Sequence, residues 1–306
     1  MKYDLKDLSF IIALRIKDNE RLNNINITVN YLLKNFNTNI IIVEASDLSC
    51  KSQFEFDIEA ITHVFIKDEN PTFNRSKYFN IGLTHVITPV LVLYDCDILL
   101  PIESYILGRN KILEGFDMFL PFSDLFYNIN YENKKLINET LDLNTIKINE
   151  YDRPGCGGAC FMNAEIYKYL GGDDENIAGW GPDDIDRIYC MKKFGLKISN
   201  LDIHHYEDDL IDLDNQKLRR FGFFSKLETK FPMYHLSHPI QSQKKETNIN
   251  NWKFFYKKIK LPSEKFNYYH YLKSKFKSQD GINYDNFILY KNWLSEYKVR
   301  KNIKFN

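Results

Sequence analysis

Pro89-Val90-Leu91-Val92-Leu93-Tyr94-Asp95-Cys96-Asp97 is the stretch on which the reading of this chain turns. A proline opens a short apolar run with β-branched and aromatic residues, and two acids close it. That is the pattern of a buried strand ending at a polar edge. The residues before it repeat the theme. Leu8 to Leu14 reads as a buried strand, and Leu22, Ile25, Val29, Leu32 and Leu33 recur at helical spacing. Asn39 to Glu44 and Thr62 to Ile66 read as further strands, with a helix over Arg75 to Val86. Strands alternating with helices predict an α/β fold with a mainly parallel central sheet flanked by helices. Ligands of such sheets bind beyond the carboxyl ends of the strands, here just after residues 14, 44 and 94.

Downstream the signal weakens. Asp117 to Pro154 shows no clear period, and Gly155-Cys156-Gly157-Gly158 reads as a turn into Ala159 to Met162. Helices are expected over Ala164 to Leu170 and Asp183 to Phe194, the second ended by Gly195. Beyond Pro239 the chain becomes rich in Lys, Tyr and Phe, as in Trp252-Lys253-Phe254-Phe255-Tyr256-Lys257-Lys258. Residues 1–245 are therefore read as one domain and 246–306 as a basic, aromatic, helical extension. Formal charge is zero overall, but residues 241–306 hold 15 Lys+Arg against 5 Asp+Glu, leaving the body acidic by the same margin.

Composition excludes some classes. With 44% hydrophobic and 27% charged residues over 306 positions, the chain can build a core and is not globally disordered. No run approaches the roughly 18 apolar residues of a spanning helix, and the first residues do not read as a signal peptide. Five cysteines, an odd number, read as reduced thiols and a cytoplasmic setting, extending to the inner face of the membrane.

Three constellations carry chemistry. Asp95 and Asp97 at a strand end can converge on a divalent cation, Mn²⁺ or Mg²⁺, which in turn binds phosphate oxygens; the plainer reading is a solvated turn. Gly179-Trp180-Gly181-Pro182-Asp183-Asp184-Ile185-Asp186-Arg187 places three acids at a helix start, where they could simply cap it. Capping does not need Trp180, whereas an indole face beside a carboxylate suits a sugar whose hydroxyl is to lose a proton. Tyr234-His235-Leu236-Ser237-His238-Pro239 offers imidazoles to complete a metal site, with His204-His205 as a competing pair.

Phe73-Asn74-Arg75-Ser76-Lys77, Asn80-Ile81-Gly82, Asp95-Cys96-Asp97 with Pro101, Gly157-Gly158, Trp180-Gly181-Pro182-Asp183-Asp184 and His238 form an ordered series. Together they resemble the β4-galactosyltransferase family and its bacterial chondroitin-polymerase-type and capsule relatives, over about residues 8 to 240. The resemblance implies the GT-A fold and a metal-dependent, inverting transfer of a hexose or N-acetylhexosamine, galactose or N-acetylgalactosamine type favoured. The donor it implies is a UDP-sugar. The acceptor is a glycan or lipid-linked glycan in bacterial surface polysaccharide synthesis, capsule or lipopolysaccharide. It implies metal ligation by Asp97 with Asp95 and with His238 or His235. Donor contacts would come from Arg15, Glu44, Arg75, Lys77, Asp95, Trp180 and Gly158, with Arg15, Arg75 and Lys77 on the phosphates and Glu44 near the uridine or ribose. Asp184 would be the base, and Asp183 would hydrogen-bond sugar or acceptor.

There are departures. The first strand runs into Ala13-Leu14-Arg15-Ile16-Lys17 where the family often has Pro-Phe-Arg-Asn-Arg, and Pro182 and Asp183 replace Gly and Glu. Galactose specificity therefore does not carry over. A sugar-nucleotide nucleotidyltransferase is the rival enzyme, but residues 13–21 lack its Gly-rich phosphate loop. The non-enzymatic rival is an inactive nucleotide-sugar-binding module. The basic extension suits peripheral contact with an anionic membrane, whereas the acidic body and absent motifs argue against nucleic acid.

Overall fold

The computed structural model describes residues 2–123, 125–146, 151–152, 157–199, 230–239, 244–263, 265–267 and 269–270. The pair His204-His205, the start of the turn at Gly155-Cys156, and residues 271–306 lie outside these.

The chain opens with β1 (Tyr3–Leu14), α1 (Asn19–Asn35), β2 (Phe36–Ser46), β3 (Thr62–Lys67), α2 (Arg75–Leu83) and β4 (Val90–Tyr94). Each expected element is present. β1 starts earlier than its apolar run, because Tyr3 and Asp4 pair with Phe36 and Asn37 before a register shift. Leu8 to Leu14 are all buried, as a strand covered on both faces requires. α1 is capped by the Asp18 side chain, which accepts from the Arg21 backbone N–H, and α2 is capped in the same way by Asn74.

There follow β5 (Ile98–Leu99), α3 (Ile102–Leu113), β6 (Met118–Phe119), β7 (Phe126–Ile129), α4 (Tyr131–Thr140), β8 (Tyr151–Asp152), β9 (Ala159–Asn163), α5 (Ala164–Tyr169), α6 (Asp183–Lys193), β10 (Ile198–Ser199), β11 (Met233–Leu236) and α7 (Lys244–Ile259). Seven strands form the main sheet in the order β10-β6-β9-β4-β1-β2-β3. β4, β1, β2 and β3 are mutually parallel, and β9 runs antiparallel between β4 and β6. The α/β fold with a mainly parallel central sheet is thus observed.

A second sheet, β5-β11-β7-β8, lies beyond the carboxyl end of β4. β11 pairs antiparallel with β5, setting His235 opposite Ile98, and the Leu236 N–H donates to the Asp97 carbonyl at 2.8 Å. This small sheet is what carries the late histidines to the turn after β4.

That turn is fastened from several elements. The Asp95 N–H donates to the Gly158 carbonyl at 2.8 Å, and Thr28 Oγ1 on α1 donates to the Cys96 carbonyl at 3.0 Å. Tyr94 donates to the Ile98 carbonyl, Tyr31 to the Leu100 carbonyl, and Tyr105 accepts from the Leu100 N–H. A turn with its backbone groups satisfied by such distant partners has little freedom to move.

The boundary expected at 245 falls inside α7. Asn251, Phe255, Lys258, Phe266 and His270 beyond it are buried, and Asn251 and Lys258 bond residues of the body. Among the described residues no helix is long and apolar enough to cross a membrane.

Candidate functional site

Two clusters flank the turn after β4. The first gathers Asp97, His235 and His238, whose ligand atoms lie within 4.8 Å of one another. His238 Nε2 is 3.1 Å from Asp97 Oδ2, and His235 Nδ1 is 3.1 Å from Asn128 Oδ1 on β7. Burial alone would raise the Asp97 pKa. The His238 hydrogen bond, with positive charge from His235, His238 and Arg21, outweighs it and holds the carboxyl below its ordinary value. Burial lowers the His235 pKa, so that ring favours the neutral, ligating form, while the hydrogen bond to Asp97 raises that of His238. One carboxylate oxygen and two imidazoles make a donor set for a transition-metal divalent ion. They suit Mn²⁺ better than Mg²⁺, which prefers oxygen and water.

The second cluster is built around Arg75. Its guanidinium donates to Asp183 Oδ2 at 2.8 Å, to Asp95 Oδ1 at 2.8 Å and to Asp184 Oδ2 at 2.6 Å. Arg187 completes it, donating to Asp184 Oδ1 at 2.9 Å and to both oxygens of Asp173. Burial pushes the Asp183 pKa up to about 7 despite Arg75, with Asp184 adding repulsion. Asp184 is held down at about 2, because the two guanidiniums outweigh its burial. Asp95 rises to about 6, burial again exceeding the pull of Arg75. Helix α6 has no side-chain N-cap, so the plain capping reading of its acids does not hold: Asp183 and Asp184 face Arg75 and Asp186 faces Lys258.

Tight packing explains the glycine pair. A Cβ on Gly157 would stand 2.4 Å from Asp184 Oδ2, and Gly158 has φ +99° with Met233 Sδ at 2.8 Å from its would-be Cβ. The Gly158 carbonyl accepts from the Asp95 N–H at 2.8 Å.

The Trp180 loop is braced from two sides. Asn80 accepts from the Asp173 N–H and donates to its carbonyl, Asn74 donates to the Glu175 carbonyl, and the Gly179 N–H donates to the Phe73 carbonyl. The Phe73 to Asn80 series is therefore scaffolding for that loop. From α7, Asn251 donates to the carbonyls of Ala178 and Trp180 at 2.7 and 3.1 Å, lying where a Cβ on Gly181 would stand. The buried ammonium of Lys258 sits between Asp174 and Asp186 at 2.8 and 2.5 Å. Trp180 itself is 53% exposed.

The other residues expected to contact the donor have the following partners. Arg15 donates to the carbonyls of Ala45, near the end of β2, and of Asn70, just after β3. Glu44 is fully buried and accepts from Ser49 Oγ, the Cys50 N–H and His63. Lys77 lies beside the Tyr78 ring. Asp95, expected beside the metal, turns to Arg75 because the chain bends between it and Asp97. Sequence reasoning missed Arg21, Arg187, Asn251 and Lys258. Of these only Arg187, one helical turn after Asp184, left a local signal.

No protein-family model matches the chain, and no curated protein sequence matches it. Among solved structures, it superposes on the catalytic domain of Drosophila beta1,4galactosyltransferase 7, crystallised with xylobiose, at TM-score 0.39 and 13% identity, covering 80% of this chain and 83% of that one. It superposes on GalNAc-T7 with UDP, GalNAc and Mn²⁺ at TM-score 0.48 and 11% identity, covering 97% of this chain and 54% of that one. The mannosyltransferase PcManGT from Pyrobaculum calidifontis, with GDP-Man and Mn²⁺, gives TM-score 0.44 and 11% identity over 96% and 70%.

Proposed function

We propose that the protein is a metal-dependent, inverting glycosyltransferase of the GT-A type. It moves a hexose or N-acetylhexosamine, galactose or N-acetylgalactosamine favoured, from a UDP-sugar to a glycan hydroxyl in surface polysaccharide synthesis. One observation carries this reading. Asp97, His235 and His238, with ligand atoms within 4.8 Å of one another, and the acid pair Asp183-Asp184, bound by Arg75, flank the same turn at the carboxyl end of β4.

Asp97, His235 and His238 would hold the divalent ion. When bound, that ion supplies positive charge against the charge growing on the leaving diphosphate. On the other side, Asp184 is the more exposed of the acid pair, 19% against 7% for Asp183, and its two guanidinium partners keep it ionised. It accepts the proton of the acceptor hydroxyl as that oxygen attacks in line, which inverts the anomeric centre. Arg187 and Arg75 fix its orientation, Asp183 hydrogen-bonds sugar or acceptor, and Trp180 offers the apolar wall for a ring.

The charge of the segment from 241 onward supports contact with the inner face of an anionic membrane, where a lipid-linked glycan acceptor would be presented. Lys258 is withdrawn from that role by its burial between Asp174 and Asp186.

The test is release of UDP from a panel of UDP-sugars with Mn²⁺ and no acceptor. Slow Mn²⁺-dependent release from one or two donors is expected. Turnover that requires pyrophosphate would instead identify a nucleotidyltransferase. Donor binding without any release, even with glycan acceptors added, would identify a binding module.

A further inference from the structure

We propose that Arg21 is the side chain that grips the donor's diphosphate. The proposal rests on the nucleotide-sugar reading of the same site. Two adjacent phosphates call for a guanidinium with N–H groups still free to donate. The two arginines that motif order favours are not in that state, and Lys77, whose ammonium lies by the Tyr78 ring, has no guanidinium to offer. Arg15 is committed to backbone carbonyls and Arg75 to three carboxylates. Arg187 is bound to Asp173 and Asp184, and buried Lys134 to Glu20 and the Ser237 carbonyl.

Arg21 is different. It stands in the first turn of α1, whose N-terminal end carries partial positive charge. Its side chain is 20% exposed, and its Nη1 is 3.9 Å from Asp97 Oδ2, too far for a hydrogen bond. Its Nη2 lies 3.4 Å from His238 Nδ1, and its buried Nε has no hydrogen-bond partner among the described residues. A buried guanidinium N–H without an acceptor is an unfavourable state that an incoming oxygen would relieve. There is a second reason. A divalent ion on Asp97, His235 and His238 would face the Arg21 cation across a few ångströms. Asp97 would be the one anion beside both cations, so a second anion between them is favoured. A phosphate oxygen pair meets both requirements at once.

The experiment measures binding of UDP, inorganic pyrophosphate and uridine, each with Mn²⁺, and of Mn²⁺ alone. It uses the full chain as wild type, Arg21→Met and Arg21→Lys, with thermal melting to check folding. The expected result for Arg21→Met is UDP and pyrophosphate affinity lower by about 10- to 100-fold, with Mn²⁺ and uridine unchanged. Arg21→Lys should recover part of the loss. Unchanged UDP affinity in Arg21→Met would overturn the proposal and leave the transferase reading standing. A parallel loss of Mn²⁺ binding would also overturn it, making Arg21 a support for Asp97. If wild type binds pyrophosphate as well as UDP, and Arg21→Met loses both, the diphosphate grip stands and the nucleotide-sugar reading falls. Failure of wild type to bind either would end both.

Discussion

The two acidic clusters beside β4 differ in what neutralises them. Around Arg75, three carboxylates share one guanidinium, and Arg187 takes the remaining oxygen of Asp184. Around Asp97 the partners are two imidazoles and a guanidinium held off at 3.9 Å. In the first cluster each carboxylate has a guanidinium hydrogen bond within the protein, although the acids outnumber the guanidiniums. In the second the guanidinium stands too far off for one, and the donor atoms match those of a metal site. The difference shows why carboxylate count is a poor guide to metal binding: Asp95 and Asp97 are two residues apart, yet they belong to opposite kinds of cluster.

The strongest test of that contrast removes the shared guanidinium. Arg75→Met should destabilise the fold by about 3–5 kcal/mol in urea denaturation, since it leaves buried carboxylates unpaired. Arg21→Met should cost less than about 1 kcal/mol, because its ion pair with Asp97 is loose, at 3.9 Å. Equal losses would erase the distinction.

Next in size, Asp184→Asn should fold and bind donor but lower turnover by at least about 100-fold. A near wild-type rate would move the base to Asp183.

At the other cluster, His238→Ala should weaken Mn²⁺ binding more than His235→Ala. Mn²⁺ affinity of the wild type should also fall between pH 8 and pH 6. The hydrogen bond to Asp97 raises the His238 pKa above 6.5, so a proton competes with metal for that ring at mildly acidic pH. The reverse ranking in Mn²⁺ titrations would make His235 the principal ligand.

The smallest effect is on stability against pH. The Asp183 pKa is raised from 3.8 to about 7, so the folded state keeps a proton that the unfolded chain releases. Asp183 therefore costs stability as pH rises through that window. Asp183→Asn lacks this slope, so its melting temperature should gain on the wild type between pH 5 and pH 8. A constant gap would mean that Asp183 is ionised throughout.

Much of the fold was legible because β1, β2 and β4 are buried on both faces and leave unbroken apolar runs. The stretch from 117 to 154 was not, because β6 has two residues and β7 four, too short for any period. Its helix α4 did carry a readable start, Asn130 accepting from the Asn133 N–H, but buries only Lys134 and Ile137. In the candidate site, motif order found Asp97, His235, His238, Asp183 and Asp184. It could not show that Arg15 bonds the Ala45 carbonyl and Glu44 the Ser49 hydroxyl, nor that Arg21 meets His238 across 217 positions. Asn251 and Lys258 were hidden for the same reason, their partners lying more than 70 residues upstream. A local pattern records a strand or a cap, whereas a long-range ion pair leaves no mark on the residues next to it.

The most direct test of the two-cluster account is a Mn²⁺ titration followed by electron paramagnetic resonance on wild type, Asp97→Ala and Asp95→Asn, without nucleotide. The account predicts that wild type and Asp95→Asn bind Mn²⁺ and that Asp97→Ala does not. Retention of the ion by Asp97→Ala, or its loss in a folded Asp95→Asn, would contradict it.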